Sequence, residues 1–327
     1  MSPHTGGAAD AGIPLAHTVR RPWTDLPAEV RAAVEQRLGS RVTAAVDQTG
    51  GFSRGTAARL RCADGSRAFV KAVTREGDPF TVALAEREAS VAAAFTPELG
   101  LPAPAFRGVV DQGGWLALLF DDIEGHIPAV PWRPDELALT LTALTALSER
   151  ATPSPVPDLP VWGGALGEWH GWNRLLADED PLADVPAWAR RNSARLAAAE
   201  QWFPAATAGD TLLHSDLRSD NILVSGTEVT FVDWAWAARG QPWIDPMVFA
   251  LCAAVQGHPD PQSVLLAHPA GRAADPAAVD SALAALAGRF VVSARQPATW
   301  QTAPVRAFQR AEAAACVRWL RARTGWS

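Results

Sequence analysis

Tyrosine is absent from the 327-residue chain, lysine occurs once and cysteine three times. Cys62, Cys252 and Cys316 are odd in number and widely spaced, so neither a disulfide framework nor a zinc site is indicated. They read as small apolar core residues. A basic excess is also lacking: 29 Lys and Arg stand against 35 Asp and Glu, a net charge of −6. A nucleic-acid-binding body would carry clustered basic charge, so nucleic acid is not an expected partner, whereas cationic small molecules suit this balance. Met1 to His17 has no basic n-region and no apolar h-region, and no window reads as a membrane span. A soluble, cytoplasmic protein without membrane attachment is therefore expected. Nothing in the sequence speaks to the oligomeric state. What is plentiful is hydrophobic side chain, 48% of residues, enough to fill the cores of two subdomains around one cleft.

Residues 1–20 show no periodicity and read as a disordered lead-in. Asp25-Leu26-Pro27 is expected to start a helix, with Asp25 as its N-cap, and Gly39 to end it. Strand-like runs follow at Val42 to Asp47 and Thr56 to Cys62, separated by Thr49-Gly50-Gly51-Phe52-Ser53-Arg54-Gly55. Glycines in such a turn let backbone N–H groups approach a polyphosphate, although a plain hairpin has the same composition. The next strand, Arg67 to Val73, contains the only lysine, Lys71, among apolar neighbours. An unpaired ammonium there would be costly, so it requires an anionic partner. The helix from about Phe80 to Phe95 supplies one: Leu84, Glu88, Val91 and Phe95 form one stripe, which puts Glu88 on the buried face and Glu86 opposite.

Two further strands, around Ala105 to Val110 and Trp115 to Phe120, lead into Asp121-Asp122-Ile123-Glu124-Gly125. From Pro131 the pattern turns helical. The expected organisation is a lead-in at 1–20, a strand-rich lobe at 21–125 and a mainly helical lobe at 126–327. Helices are expected over Pro134 to Arg150, Ala187 to Phe203, Pro276 to Val292 and Pro304 to Arg323. Glu168, Trp169, Trp172, Asp178, Glu179, Asp180, Asp184 and Trp236 could recognise a cation through carboxylates and indole faces, but indoles at helical spacing are as readily core.

The densest group of hard oxygens is His214-Ser215-Asp216-Leu217-Arg218-Ser219-Asp220-Asn221, followed by Val232-Asp233-Trp234. Ile222 to Val224 and Val229 to Val232 form a hairpin about Ser225-Gly226-Thr227, which sets Asn221 opposite Val232 and brings Asp233 close to Asn221. One carboxylate and one amide oxygen, with room for water and phosphate, suit Mg2+. Asp245-Pro246 opens a further helix, with Asp245 at its N-cap.

The spacing H-x-D-x-x-x-x-N, a hairpin and then an Asp resembles the protein-kinase-like fold, and within it the aminoglycoside phosphotransferase and choline kinase branch of small-molecule kinases. There the metal-binding Asp is followed by Trp, and the Gly-Gly-x-Ser of Gly50 to Ser53 resembles that branch too. Ser215 stands where the branch usually has Gly. The resemblance implies an α+β bilobal fold, with an N-terminal antiparallel sheet carrying one main helix and a mainly helical C-terminal lobe. It implies transfer of the γ-phosphoryl of ATP or GTP to a hydroxyl of a small molecule, first an aminoglycoside or other antibiotic, then a choline-like amino alcohol or sugar. By the same resemblance Asp216 and Arg218 are catalytic, and Lys71, Glu88, Gly50, Gly51 and Ser53 hold the phosphates. Phe120, Asp121, Asp122 and Ile123 form a hinge whose backbone meets the base, Asn221 and Asp233 bind Mg2+, and His214 and Asp245 give structural support. A nucleotide-binding pseudokinase acting as an interaction module is the rival of another class.

Overall fold

The computed structural model describes residues 19–51, 55–165, 170–177, 182, 184–299 and 302–327. The chain divides into two units, one made of 16–127 with 220–237, the other of 1–15, 128–219 and 238–327. The hairpin that follows Asn221 thus groups with the strand-rich N-terminal part. It is an α+β protein, one unit strand-rich and the other mainly helical.

The first unit is built on an antiparallel sheet of β1 (Val42–Asp47), β2 (Thr56–Cys62), β3 (Arg67–Thr74), β4 (Phe106–Gln112) and β5 (Trp115–Phe120), in the order β1-β2-β3-β5-β4. Alternation along the strands assigns two cores. Val70, Ala72, Ala117 and Leu119 pack with Trp23, Leu26 and Val34, the last from helix α1 (Ala28–Leu38). Leu116, Leu118 and Phe120, with Phe69 and Val73, pack on the other face with Ala85, Ala89 and Ala92 of helix α2 (Pro79–Ala93). This explains why β5 reads as the unbroken apolar run Trp-Leu-Ala-Leu-Leu-Phe. It also fixes Lys71: lying between Phe69 and Val73 in β3, it must share the α2 face. Helix α1 starts later than expected, at Ala28 with Pro27 as N-cap, and Asp25 belongs to a preceding 3-10 turn. Proline at 27 lacks an N–H and adopts extended backbone, so it closes the turn ahead of the helix rather than continuing it. The cap of α2 is Asp78, whose carboxylate accepts from the N–H groups of Phe80 and Thr81.

The second unit is mainly helical. Its longer helices, numbered after α2, are α3 (Pro134–Arg150), α4 (Ser193–Thr207), α5 (Ile244–Val255), α6 (Pro276–Ala294) and α7 (Ala303–Thr324). Two short strands, β6 (Thr211–Leu213) and β9 (Ala238–Gly240), pair antiparallel at the base of the loop that begins at His214. Helix α6 corrects one expectation: by length and apolarity it could cross a membrane. Its Ala, Val and Leu side chains are instead largely buried within the unit, where it packs against α4 and α7. A core helix surrounded by partners needs apolar residues on nearly every face, so composition alone does not separate it from a span.

Candidate active site

In the first unit, β7 (Ile222–Ser225) and β8 (Glu228–Phe231) form the expected hairpin, closed by Gly226-Thr227 with Gly226 at φ +61°. The Val232 N–H donates to the Asn221 carbonyl at 2.9 Å, so Asn221 lies beside the residue preceding Asp233. Asp233 then adopts the left-handed conformation, φ +68°. Trp234 secures the turn: its indole N–H donates to the Phe231 carbonyl at 2.9 Å, and its ring meets Phe95 edge to face with centroids 4.8 Å apart.

Lys71 joins three elements. Its Nζ donates to Glu88 Oε1 and Oε2 at 2.8 and 2.7 Å and to Asp233 Oδ1 at 2.8 Å. Burial works against the ammonium, but Asp233 and Glu88 outweigh it and hold its pKa above the ordinary value. Burial pushes Glu88 upward, Lys71 pulls it back and Asp233 adds to the rise. One carboxylate would neutralise Lys71; two leave a negative charge in excess. Asn221 and Asp233 offer an amide oxygen and a carboxylate, a donor set that fits a hard divalent cation sharing phosphate and water ligands. Among the described residues, no three His, Cys, Asp or Glu gather into a protein metal cage.

Arg20, ahead of α1, was not visible as a site residue in the sequence. Its Nε and Nη2 donate to the Gly50 carbonyl at 3.1 and 2.5 Å. Gly51 has φ +82°, a left-handed backbone that disfavours any side chain, and a Cβ there would lie 2.9 Å from Arg20 Nη2. Burial lowers the Arg20 pKa, opposed by the negative charges of Asp233, Asp220 and Glu88. Ser53 lies outside the described residues.

Residues 120–123, expected as a hinge, are tied down by side chains. Asp122 accepts from Arg59 at 2.6 and 3.1 Å and from Arg67 at 2.7 and 2.5 Å, and Arg59 also reaches the Ile123 carbonyl at 3.3 Å. Asp121 pairs with Arg107 at 2.5 Å, and its own N–H is used by the Ala105 carbonyl at 2.8 Å. Phe120 sits in β5 between Phe69 and Phe106.

In the second unit, the loop after β6 is held from below by α5. Both oxygens of the Asp245 carboxylate accept backbone N–H groups, from His214 at 2.7 Å and Ser215 at 2.9 Å. The expected N-cap role is therefore corrected: Asp245 lies inside the first turn of α5, and its carboxylate is turned to the loop instead of its own helix. Burial raises its pKa, against the pull of His214 and the two N–H donors. His214 is fully buried and accepts the Asp216 N–H on Nδ1 at 3.3 Å. Ser215 has φ +70°, which accounts for glycine being the usual residue in the resembled branch.

Both oxygens of Asp216 accept from Arg218 Nη1, at 2.6 and 2.7 Å. Arg218 is 9% exposed and lies over the Phe308 ring at 5.8 Å, so it is a fixed partner of Asp216 rather than a surface arginine. One turn along α7 from Phe308, Glu312 interacts with Arg218, Asp216 and Arg289; burial, with Asp216 adding to it, pushes its pKa up to about 8. Glu312 escaped the sequence reading because α7 is arginine-rich, and one acid among arginines reads as a surface pair. Trp172 is core: fully buried, it donates its indole N–H to the Ala284 carbonyl at 2.8 Å. Trp236 packs on Phe80 in the first unit, with centroids 5.7 Å apart. Asp184 pairs with Arg295. Glu168, Trp169, Asp178, Glu179 and Asp180 lie outside the described residues.

A family profile described as "Phosphotransferase enzyme family" matches residues 52–280. No curated protein matches the sequence. Among solved structures, the chain is similar to choline kinase LicA from Streptococcus pneumoniae, with 14% identity, 89% of this chain and 98% of that one covered, and a TM-score of 0.57. It is similar to an aminoglycoside phosphotransferase from Alicyclobacillus acidocaldarius at 15% identity, covering 86% and 91%, with a TM-score of 0.53. A spectinomycin phosphotransferase in complex with ADP and spectinomycin is similar at 14% identity, covering 92% and 99%, with a TM-score of 0.54.

Proposed function

The chain belongs to the phosphotransferase enzyme family, and from that premise we propose that it is a small-molecule phosphotransferase, moving the γ-phosphoryl of ATP or GTP to a hydroxyl of an aminoglycoside or other antibiotic. The observation that carries this reading is the bonding of one ammonium, Lys71, to both Glu88 and Asp233. Glu88 alone would satisfy a structural lysine. The added carboxylate makes sense when a divalent cation and phosphates complete the charge balance.

Lys71 then binds the donor phosphates, oriented by Glu88, while Asn221 and Asp233 hold Mg2+, which neutralises phosphate charge when bound. Asp216 accepts a hydrogen bond from the acceptor hydroxyl, aligns it, and takes its proton late, since a carboxylate barely deprotonates a free alcohol. Arg218, fixed beside Asp216, holds the carboxylate in place and has further guanidinium donors to offer the phosphoryl in transfer. The net charge of −6 favours cationic acceptors.

A second reading, a kinase for a choline-like amino alcohol or a sugar, is favoured by the similarity to choline kinase over nearly its whole length. The pseudokinase alternative is opposed by the joint presence of Lys71, Asp216, Asn221 and Asp233. An ADP-formation assay over aminoglycosides, peptide antibiotics, amino alcohols and sugars decides among these. Acceleration by an antibiotic is expected. Acceleration by metabolites alone selects the second reading, and nucleotide binding with no acceleration anywhere selects the pseudokinase. Asp216→Asn is expected to lower turnover about a hundredfold or more while keeping Mg-nucleotide affinity; wild-type turnover would remove Asp216 from its role.

A further inference from the structure

We propose that Arg20 is a second nucleotide-binding cation, which carries a guanidinium to the donor phosphates from the segment ahead of α1. The inference rests on the phosphotransferase reading above and deepens it.

The position of Arg20 is built rather than incidental. The residues around it are pinned separately: Arg21 lies over the Trp115 ring at 5.3 Å, and the Trp23 N–H donates to the Asp47 carboxylate at 2.8 Å, at the end of β1. Arg20 is thereby carried to the glycine turn, where two of its nitrogens grip the Gly50 carbonyl. Its charged neighbours are Asp233, Asp220 and Glu88, two of which are the partners of Lys71.

Three carboxylates here face two cations, so the group is left with a net charge of −1. A purely structural arginine would be satisfied by a nearby carboxylate. Here the side chain is anchored by a neutral carbonyl, while its charge is met through space by carboxylates it shares with Lys71. Were Asp233 to hold a divalent cation, Lys71 and Arg20 would be the cations left to meet phosphate oxygens. A guanidinium offers several donors in a planar fork suited to such oxygens. Gly51 lets the turn take its left-handed backbone beside the guanidinium.

The test is calorimetric titration of the full chain with Mg-ATP and, separately, with adenosine, for wild type, Arg20→Gln, Arg20→Lys and Lys71→Met. Loss of a charged phosphate contact should weaken Mg-ATP binding by Arg20→Gln about tenfold to a hundredfold, with Arg20→Lys between it and wild type. Adenosine affinity should stay unchanged, which a general structural defect would not allow. Unfolding midpoints of the variants confirm that each is folded. Unchanged Mg-ATP affinity in Arg20→Gln, while Lys71→Met is weakened, overturns the role of Arg20 and leaves the phosphotransferase reading standing. Tighter Mg-ATP binding in Arg20→Gln also overturns it and makes Arg20 a plug on the phosphate site. Failure of wild type to bind either Mg-ATP or Mg-GTP overturns both readings.

Discussion

Ser215 carries two penalties at once. Its φ of +70° costs an L residue about 1–2 kcal/mol, and its buried hydroxyl has no hydrogen-bond partner. Glycine would remove both, against about 0.5–1 kcal/mol of extra backbone entropy in the unfolded chain. The balance predicts that Ser215→Gly stabilises the protein by about 1 kcal/mol, read as a higher midpoint in urea or heat; a lower midpoint would count against strain at this site. Glu312 supplies a pH test. Unfolded, it ionises near 4.5; folded, it keeps its proton to about 8. The folded state therefore binds more protons across that window, and stability falls as pH rises from 4.5 to 8. Glu312→Gln does not titrate, so its stability advantage over wild type should widen across the same window and level off above it. Urea melts at pH 5, 6.5 and 8 check this, and a gap independent of pH would sink it. Neither residue's state was legible in the sequence. The identity of Ser215 could be read, but its φ follows from where the loop must go next, and the burial of Glu312 depends on what α7 packs against.

Elements were far easier to read than their pairings. The boundaries of β1, β2 and α3 follow from local signals: β-branched and apolar alternation, glycine-rich turns, and a proline at the first helical position. Lys71 and Glu88 were legible because a charge inside an apolar strand and a charge on an apolar helix stripe each demand a partner. The N-cap reading of Asp245 failed for the same reason in reverse, although the structural support implied by the resemblance agrees with its bonds to the loop. An Asp before Pro at a helix start satisfies the local rule for capping, and nothing local reveals that the loop after β6 offers two better N–H donors. Those two bonds make α5 the support of the catalytic-type loop. Asp245→Ala should cost about 2–4 kcal/mol in denaturant unfolding, since it leaves two backbone N–H groups without their acceptor. Turnover should fall through kcat, with nucleotide KM little changed, because Lys71 and its partners are untouched. A loss confined to nucleotide KM would show that Asp245 does not act through the loop.

At the scale of the whole chain, the change from strand-like to helical pattern near residue 125 marks a division that the contacts place after Ile127. The return of residues 220–237 to the first unit has no such local mark. It is made by pairings between distant segments: the Phe231 N–H with the Pro102 carbonyl at 2.7 Å, His126 with Val224, and Trp234 against Phe95. The strand-rich unit is therefore discontinuous in sequence, and this bears on how it is made. Lys71 emerges from the ribosome 162 residues before Asp233. At about 5–20 residues per second, the nascent chain holds Lys71 without Asp233 for roughly 8–30 seconds. Glu88, 17 residues after Lys71, arrives almost at once and shields the ammonium during that wait.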